Sequence, residues 1–302
     1  MLPFIPPMIV RMGKEAFDDD RYIFEPKWDG WRLLIYKSRN KIEAYTRNGR
    51  LVTHQFPELQ EALGAIEANE AILDAEGICI RNGRPVFDDF AFRGRLSKQN
   101  RIEQARWTHP ATFVVFDVLY AGGFLYDEPL MSRKKHLEDI LRPTPVITPT
   151  LFVEGEGTSL FRLMKQQKME GIVAKRKTGM YTPGKVSTDW LKIKHWNTID
   201  TVILGYRTHP RFALIVGLQF RTIRNKKVST VELGFKPQDK EWFLEVAPVL
   251  HQGKAGAVQW VEPKLCCRID YLERTDMHQL RTSIFRGFLP EKKPEECVWP
   301  YE

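Results

Sequence analysis

Glu25-Pro26-Lys27-Trp28-Asp29-Gly30-Trp31-Arg32 is the stretch on which the reading of this chain turns. It contains a Lys-x-Asp-Gly element. Residues 22–25 read as a short strand leading in and residues 31–37 as a strand leading out. Pro26 fixes its own φ and biases Glu25 toward extended geometry. The glycine permits a tight turn and close backbone approach by a ligand. The lysine is therefore expected on a loop between two strands, with its amine facing a cleft. An amine that acts as a covalent nucleophile must be neutral, so its pKa must be depressed by burial or by nearby cations. Arg32 is the near candidate for that cation, and Lys192 and Lys194 are distant ones. Alone, the pattern is common among solvated surface pairs, and its weight comes from the motifs that accompany it further along the chain.

At 302 residues the chain suggests two domains, and 43% hydrophobic residues suffice for packed cores. Its 46 basic side chains outnumber 38 acidic ones, and the net charge of +8 favours a polyanionic partner such as nucleic acid. Cys79, Cys266, Cys267 and Cys297 show no Cys-x-x-Cys pair and no metal-ligand spacing, so reduced thiols in a cytosolic protein are expected. The apolar start has two adjacent prolines, no basic leader and no cleavage site, and is not read as a signal peptide. No apolar run approaches membrane-spanning length, so no membrane partner is expected.

Residues 3–12 read as an extended lead-in packed on the body. Residues 33–36 and 42–45 form a hairpin, 57–69 has helical spacing, and 71–81 is a strand carrying Asp74-Ala75-Glu76-Gly77. Residues 88–98 read as a helix and 111–120 as a strand. Ser132 reads as the cap of a helix running to Leu141. A helix over 158–169 precedes a strand at 171–175. In Trp190-Leu191-Lys192-Ile193-Lys194 the alternation puts both lysines on one strand face. Beyond residue 198 come short strands at 201–206, 212–220, 228–235 and 264–271, interrupted by one helix over 238–250. That spacing suits a small five-stranded barrel of the oligonucleotide-binding type.

Taken in order, Lys27-Trp28-Asp29-Gly30 with Arg32, Asp74-Ala75-Glu76-Gly77, Val115-Phe116-Asp117-Val118, Glu170-Gly171-Ile172-Val173 and Trp190-Leu191-Lys192-Ile193-Lys194 resemble the motifs of ATP-dependent DNA ligases, within the covalent nucleotidyltransferase superfamily. The resemblance covers nearly the whole chain. Glu25-Pro26-Lys27, the run from Glu170 to Arg176, and Leu280-Arg281 with Phe285-Arg286-Gly287 resemble the bacterial end-joining ligases in particular. It implies an α+β fold: a nucleotidyltransferase (adenylation) domain of antiparallel sheets with helices over residues 1–197, then an OB-fold barrel over 198–302. A hinge is expected at Asn197 to Asp200.

The resemblance also implies chemistry. Lys27 attacks the α-phosphate of ATP, AMP passes to a DNA 5′-phosphate, and the 3′-hydroxyl displaces it. Each step is an in-line phosphoryl transfer in which the protein supplies positioning and charge. Glu25 is implied to accept from the adenine amine and Phe116 to stack on the base. Arg32 and Arg47 are implied to contact sugar and phosphates. Glu76 is implied at the ribose or metal, and Glu170 at Mg²⁺, for which Mn²⁺ can substitute. Lys192 and Lys194 are implied to stabilise charge on the α-phosphate. Asp29 is implied to organise the nucleophile or metal waters.

The partner implied is nicked or broken double-stranded DNA, with end-joining or repair proteins alongside, handled by a monomer in the bacterial cytosol or nucleoid. With Lys27 so near the start, the two domains alone are expected to grip DNA. Arg47, Arg93, Arg95, Lys98, Arg101, Lys175, Arg176, Lys177, Lys185 and Arg281 are candidate phosphate contacts. Two departures stand out. Ala75 replaces the usual glycine, which an extended strand tolerates. Leu289-Pro290-Glu291-Lys292 stands where the family has Arg-x-Asp-Lys, so self-adenylation is expected to be the weakened step. An mRNA-capping guanylyltransferase or RNA ligase shares the lysine motif and is the enzymatic alternative. A nucleic-acid-binding module without activity is the other.

Overall fold

The computed structural model describes residues 2–301. The chain divides into two compact units, one ending at His195 and the next beginning at Trp196. The segment Asn197 to Asp200, expected as a hinge, lies just past this boundary. Those residues open the strand Asn197–Arg207 and pair in register with Tyr271, Asp270, Ile269 and Arg268. Asn197 also donates its side-chain amide to the Leu272 carbonyl. Only His195 and Trp196 lie between strands there.

The first unit is built on two sheets. The six-stranded sheet runs Lys41–Thr46, Trp31–Ser38, Glu70–Arg81, Ala111–Ala121, Ile147–Pro149, with Arg84–Pro85 paired to Glu70–Arg81. The five-stranded sheet runs Ile9–Met12, Val186–Lys194, Gly171–Arg176, Asp19–Pro26, Val153–Gly155. Most pairs are antiparallel, as expected. Ile9–Met12 with Val186–Lys194 and Ala111–Ala121 with Ile147–Pro149 are parallel. Period-two alternation divides the larger sheet between two cores. Leu33, Ile35, Leu73 and Ala75 pack with Phe56, Phe90 and Leu137. Leu34, Tyr36, Ile72 and Leu119 turn the other way, toward Ile23 and Trp190 from the smaller sheet and Met8 and Tyr181 from segments outside it. The helix Gly157–Gln166 covers that sheet's far side through Phe24, Met164, Ile172 and Ile193.

Three local readings change. Residues 57–69 give only a 3-10 turn, Pro57–Leu63, rather than an α-helix. The helix Leu130–Ile140 starts after Pro129, and Ser132 inside its first turn bonds the Glu128 carboxylate instead of capping. A helix at Gln99–Thr108 has no counterpart in the sequence reading, because only Ile102 and Ala105 of its residues are buried.

In the second unit the ladder runs Lys226–Val231, Ala213–Leu218, Asn197–Arg207, Val258–Val261, His251–Ala255, and Cys266–Tyr271 joins Asn197–Arg207 to Ile284–Phe288. The ladder does not close into a continuous barrel. Among the described residues, an isolated parallel bridge between Leu233 and Ile284 links its ends. The helix Pro237–Val246 packs Phe243 into the core and gives way to a 3-10 turn at Ala247–Leu250, where Pro248 cannot donate a backbone N–H. Among the described residues no helix is long and apolar enough to cross a membrane.

Candidate active site

The strands flanking Lys27 belong to different sheets, so residues 27–30 form a bridge between the two. Lys27 N donates to the Gly171 carbonyl at 2.9 Å, pinning the bridge to the smaller sheet. Gly30 N donates to Glu76 Oε1 at 3.1 Å, pinning it to the larger. A Cβ on Gly30 would lie 2.0 Å from the Gly77 carbonyl oxygen. The neighbouring strand thus requires the glycine, beside the tight turn and ligand approach expected of it. Beneath the bridge is a cleft of about 1210 Å³ whose lining includes Glu25, Lys27, Arg32, Arg47, Glu76, Phe116, Lys175, Lys192 and Lys194. Asp29 and Glu170 are not on its surface.

Glu170 sits behind the lysines. Its Oε2 accepts from Lys27 Nζ, and its Oε1 accepts from Lys194 Nζ at 2.8 Å. Burial acts to lower the Lys27 pKa, but the charges of Glu170 and Glu76 outweigh it and the net shift is upward. The depressed amine expected at Lys27 is therefore not present in this arrangement, because carboxylates rather than cations are its nearest charges. The same pair of ammoniums outweighs burial at Glu170 and holds it below the usual carboxylate range. Lys192 is depressed, by burial first and then by Lys194 and Lys27.

Glu25 is 2% exposed and spends both carboxylate oxygens inside the protein. Oε1 accepts from Lys134, and Oε2 meets Lys175 at 2.7 Å. Lys175 is 1% exposed, with Nζ 4.5 Å from the Phe116 ring centre and 3.8 Å from that of Trp190. Its expected role at DNA is corrected: an ammonium sealed between two rings and a carboxylate cannot reach a backbone phosphate. Burial lowers its pKa to about 8 despite Glu25. Phe116 keeps a half-buried face on the cleft and stands edge-on to Trp190.

Arg32 is a fixed wall group rather than a free fork. Nε and Nη2 grip Asp74 at 2.9 and 2.6 Å, Nη1 donates to the Met8 carbonyl, and Nη2 also reaches the Tyr181 hydroxyl at 3.1 Å. Glu76 is pushed up to about 8, by burial first, against the opposing charges of Lys27 and Arg32. Asp29 and Glu170 add to that rise. Arg47 is exposed at the cleft rim. Arg176 is outside the cleft and lies 3.8 Å from Asp189. Arg281 belongs to the second unit, 3.1 Å from Glu273. Arg93 is 0% exposed and bound to Glu58, so it too is corrected from a DNA contact to a buried structural ion. Ala75 sits in an extended, fully buried strand position, as expected.

The sequence reading missed Lys134, Asp74 and Tyr181. Asp74 had a usable signal: it lies two residues from Glu76 on the same strand, hence on the same face. Lys134 and Tyr181 had none, since their partners lie 109 and 107 residues away along the chain.

Residues 7–194 match the model of the ATP dependent DNA ligase domain. The chain is 31% identical to DNA ligase C1 of Mycolicibacterium smegmatis, over 98% of this chain and 93% of that protein. It is 30% identical to the multifunctional non-homologous end joining protein LigD of Mycobacterium bovis over 97% of this chain, but spans only 39% of that protein. A solved structure of mycobacterial DNA ligase D complexed with ATP and MES superposes with a TM-score of 0.57 at 28% identity, covering 97% of this chain and 98% of that one.

Proposed function

The chain belongs to the ATP-dependent DNA ligase family, and on that premise we propose that it seals 5′-phosphate/3′-hydroxyl breaks in double-stranded DNA through a lysyl-AMP intermediate on Lys27. The observation that carries the proposal is the meeting of Lys27 and Lys194, both on the lining of a cleft that Phe116 shares, at the Glu170 carboxylate behind them. Lys27 Nζ forms a bond to the α-phosphorus as the bond to pyrophosphate breaks. The lysine must first lose a proton, which Glu170 opposes while paired to it. Lys192 and Lys194 place two positive charges where the α-phosphate gains negative charge. Phe116 offers the nucleobase a stacking face, an interaction worth roughly 1 kcal/mol. Arg47 is free at the rim to meet phosphate oxygens.

Glu76, on the cleft lining, would hold Mg²⁺ or Mn²⁺, with Asp29 acting through water; Glu170, whose two oxygens are taken by Lys27 and Lys194, would join the ion once those ammoniums release it. The rise of Glu76 to about 8 marks a buried carboxyl short of positive charge, which suits a hard divalent cation. Among the described residues no three acidic, histidine or cysteine side chains converge as a closed metal site. Bound at Glu76, the ion would supply positive charge to neutralise phosphate oxygens. Arg176 and Arg281 are assigned to DNA phosphates. The end-joining names of the mycobacterial relatives support a bacterial setting with repair proteins alongside, and the reading places a monomeric enzyme in the cytosol.

Incubation with ATP or, in a separate sample, GTP, each with Mg²⁺, followed by mass spectrometry tests the reading. One AMP should map to Lys27 and be absent from Lys27→Ala, which should also fail to seal a nick. Sealing by Lys27→Ala would overturn the mechanism, and a GMP adduct in place of AMP would favour the capping-enzyme alternative.

A further inference from the structure

The lead-in segment does more than pack on the body. Pro6, Pro7, Met8, Ile9 and Val10 line the same cleft as Lys27 and Phe116. Two phenols hold this segment from below. Ile5 N donates to the Tyr36 hydroxyl at 2.9 Å, and Met8 N donates to the Tyr181 hydroxyl at 3.0 Å. Further along, Ile9 N donates to the Lys185 carbonyl and Gly13 N to the Lys192 carbonyl. The segment therefore runs from the cleft wall into the strand Ile9–Met12, which pairs with the strand that carries Lys192 and Lys194 and sets Met12 opposite Lys192.

The Tyr181 hydroxyl is the junction. A phenol has one donor hydrogen and two acceptor lone pairs. Tyr181 donates to Asp74 Oδ2 at 2.7 Å and accepts from Met8 N at 3.0 Å and Arg32 Nη2 at 3.1 Å. Its capacity is filled by three stretches distant in sequence. Arg32 closes the loop by donating to the Met8 carbonyl, so the peptide groups on either side of the Met8 Cα are tied to one network. The Tyr181 ring is held independently, edge-on to Trp190 at 5.9 Å.

We propose that residues 5–10 are a clamping wall for the nucleotide, and that Tyr181 is the positioning residue that fixes this wall and the Arg32 guanidinium together. The inference rests on the nucleotide cleft proposed above. Tyr181 touches no reacting atom. Its loss should weaken ground-state and transition-state binding alike and leave the chemical step unchanged. The wall's apolar side chains suit the faces of a base and sugar, while the lysines take the phosphates.

Tyr181→Phe separates ring from hydroxyl. Binding is measured calorimetrically with α,β-methylene-ATP and Mg²⁺, whose uncleavable bridge prevents capture by Lys27. Self-adenylation is followed in parallel with ATP. The variant should raise Kd and KM about tenfold, the loss of one buried hydrogen-bond junction, with kcat within about twofold. A folded Tyr181→Phe with unchanged Kd and KM overturns the proposal, as does a fall in kcat alone. Tyr36→Phe releases the wall's other pin without touching Arg32, so it should raise Kd by a smaller factor. If Tyr181→Phe does not fold, an unchanged Kd in Tyr36→Phe overturns the wall. Wild-type protein that binds the analogue but forms no adduct with ATP sinks the ligase reading and leaves the wall to stand or fall on the Kd values. Wild-type protein that does not bind the analogue sinks both.

Discussion

The Lys27 ammonium is paired with the Glu170 carboxylate, 143 residues further along the chain. The pairing keeps the amine protonated, the opposite of what a nucleophile needs, and it raises the Lys27 pKa against burial. Replacing Glu170 with Gln removes the anion and keeps the shape. Each unit by which the Lys27 pKa then falls gives about ten times more neutral amine at a fixed pH. Competitive acetylation of nucleotide-free protein at pH 8, read by peptide mass spectrometry, should show Lys27 labelled about tenfold faster in Glu170→Gln. Equal labelling would mean that another group, with Glu76 the next candidate, holds the proton.

Glu76 couples the site to stability. Its folded pKa of about 8 lies above the ordinary 4.5, so the folded chain holds this proton more tightly than the unfolded one. Stability must fall as pH rises from about 4.5 through 8, and the cost is complete above 8. Glu76→Gln removes the titration. The variant should melt about 5 °C higher than wild type at pH 8.5 and near the wild-type temperature at pH 4.5. A constant difference across that range would mean that packing, not ionisation, separates the two proteins.

Lys175 and Arg176 are neighbours with opposite fates. Lys175 is enclosed with Glu25, and Arg176 is partly exposed beside Asp189. Each phosphate contact contributes about 0.9 to the slope of log K against log salt. Arg176→Ala should lower that slope by about one. Lys175→Met should leave it unchanged. The Lys175 pKa of about 8 lies below 10.5, so this group's cost to folding is full below pH 8 and disappears toward 10.5. Lys175→Met should therefore flatten stability over that interval. A reduced salt slope in Lys175→Met would contradict its burial.

These neighbours also mark what could be read in advance. The turn at Lys27 was legible because a proline and a glycine bracket it between two strand-like runs. Lys192 and Lys194 were legible because Leu191 and Ile193 alternate with them, a local pattern that fixes a face. Lys175 and Arg93 were misread for one reason. Each follows an apolar or helical run and looks like a basic surface, but its carboxylate partner comes from a distant segment, Glu25 or Glu58. Periodicity carries no information about such pairs. The helix Gln99–Thr108 was missed because a face of only two buried apolar residues gives no period to detect.

Gly30 gives the sharpest test of how the site is held. Its strand neighbour Trp31 is in register with Gly77, and an added Cβ would meet the Gly77 oxygen at 2.0 Å and Ile78 Cγ2 at 3.0 Å. A carbonyl in a paired strand cannot swing aside as a side-chain tip can, so Gly30→Ala must push the bridge away from the larger sheet. Overpacking of this kind costs about 1–3 kcal/mol, and a shift of about 1 Å at a reacting group can cost about 100-fold in rate. Gly64→Ala is the control: its φ of −73° is ordinary, and a Cβ there meets nothing within 4 Å. Calorimetry and single-turnover adenylation at saturating ATP should show both stability and rate falling in Gly30→Ala and neither in Gly64→Ala. If Gly30→Ala keeps its melting temperature but loses rate, the glycine serves ligand approach, and the strand contact is not what requires it.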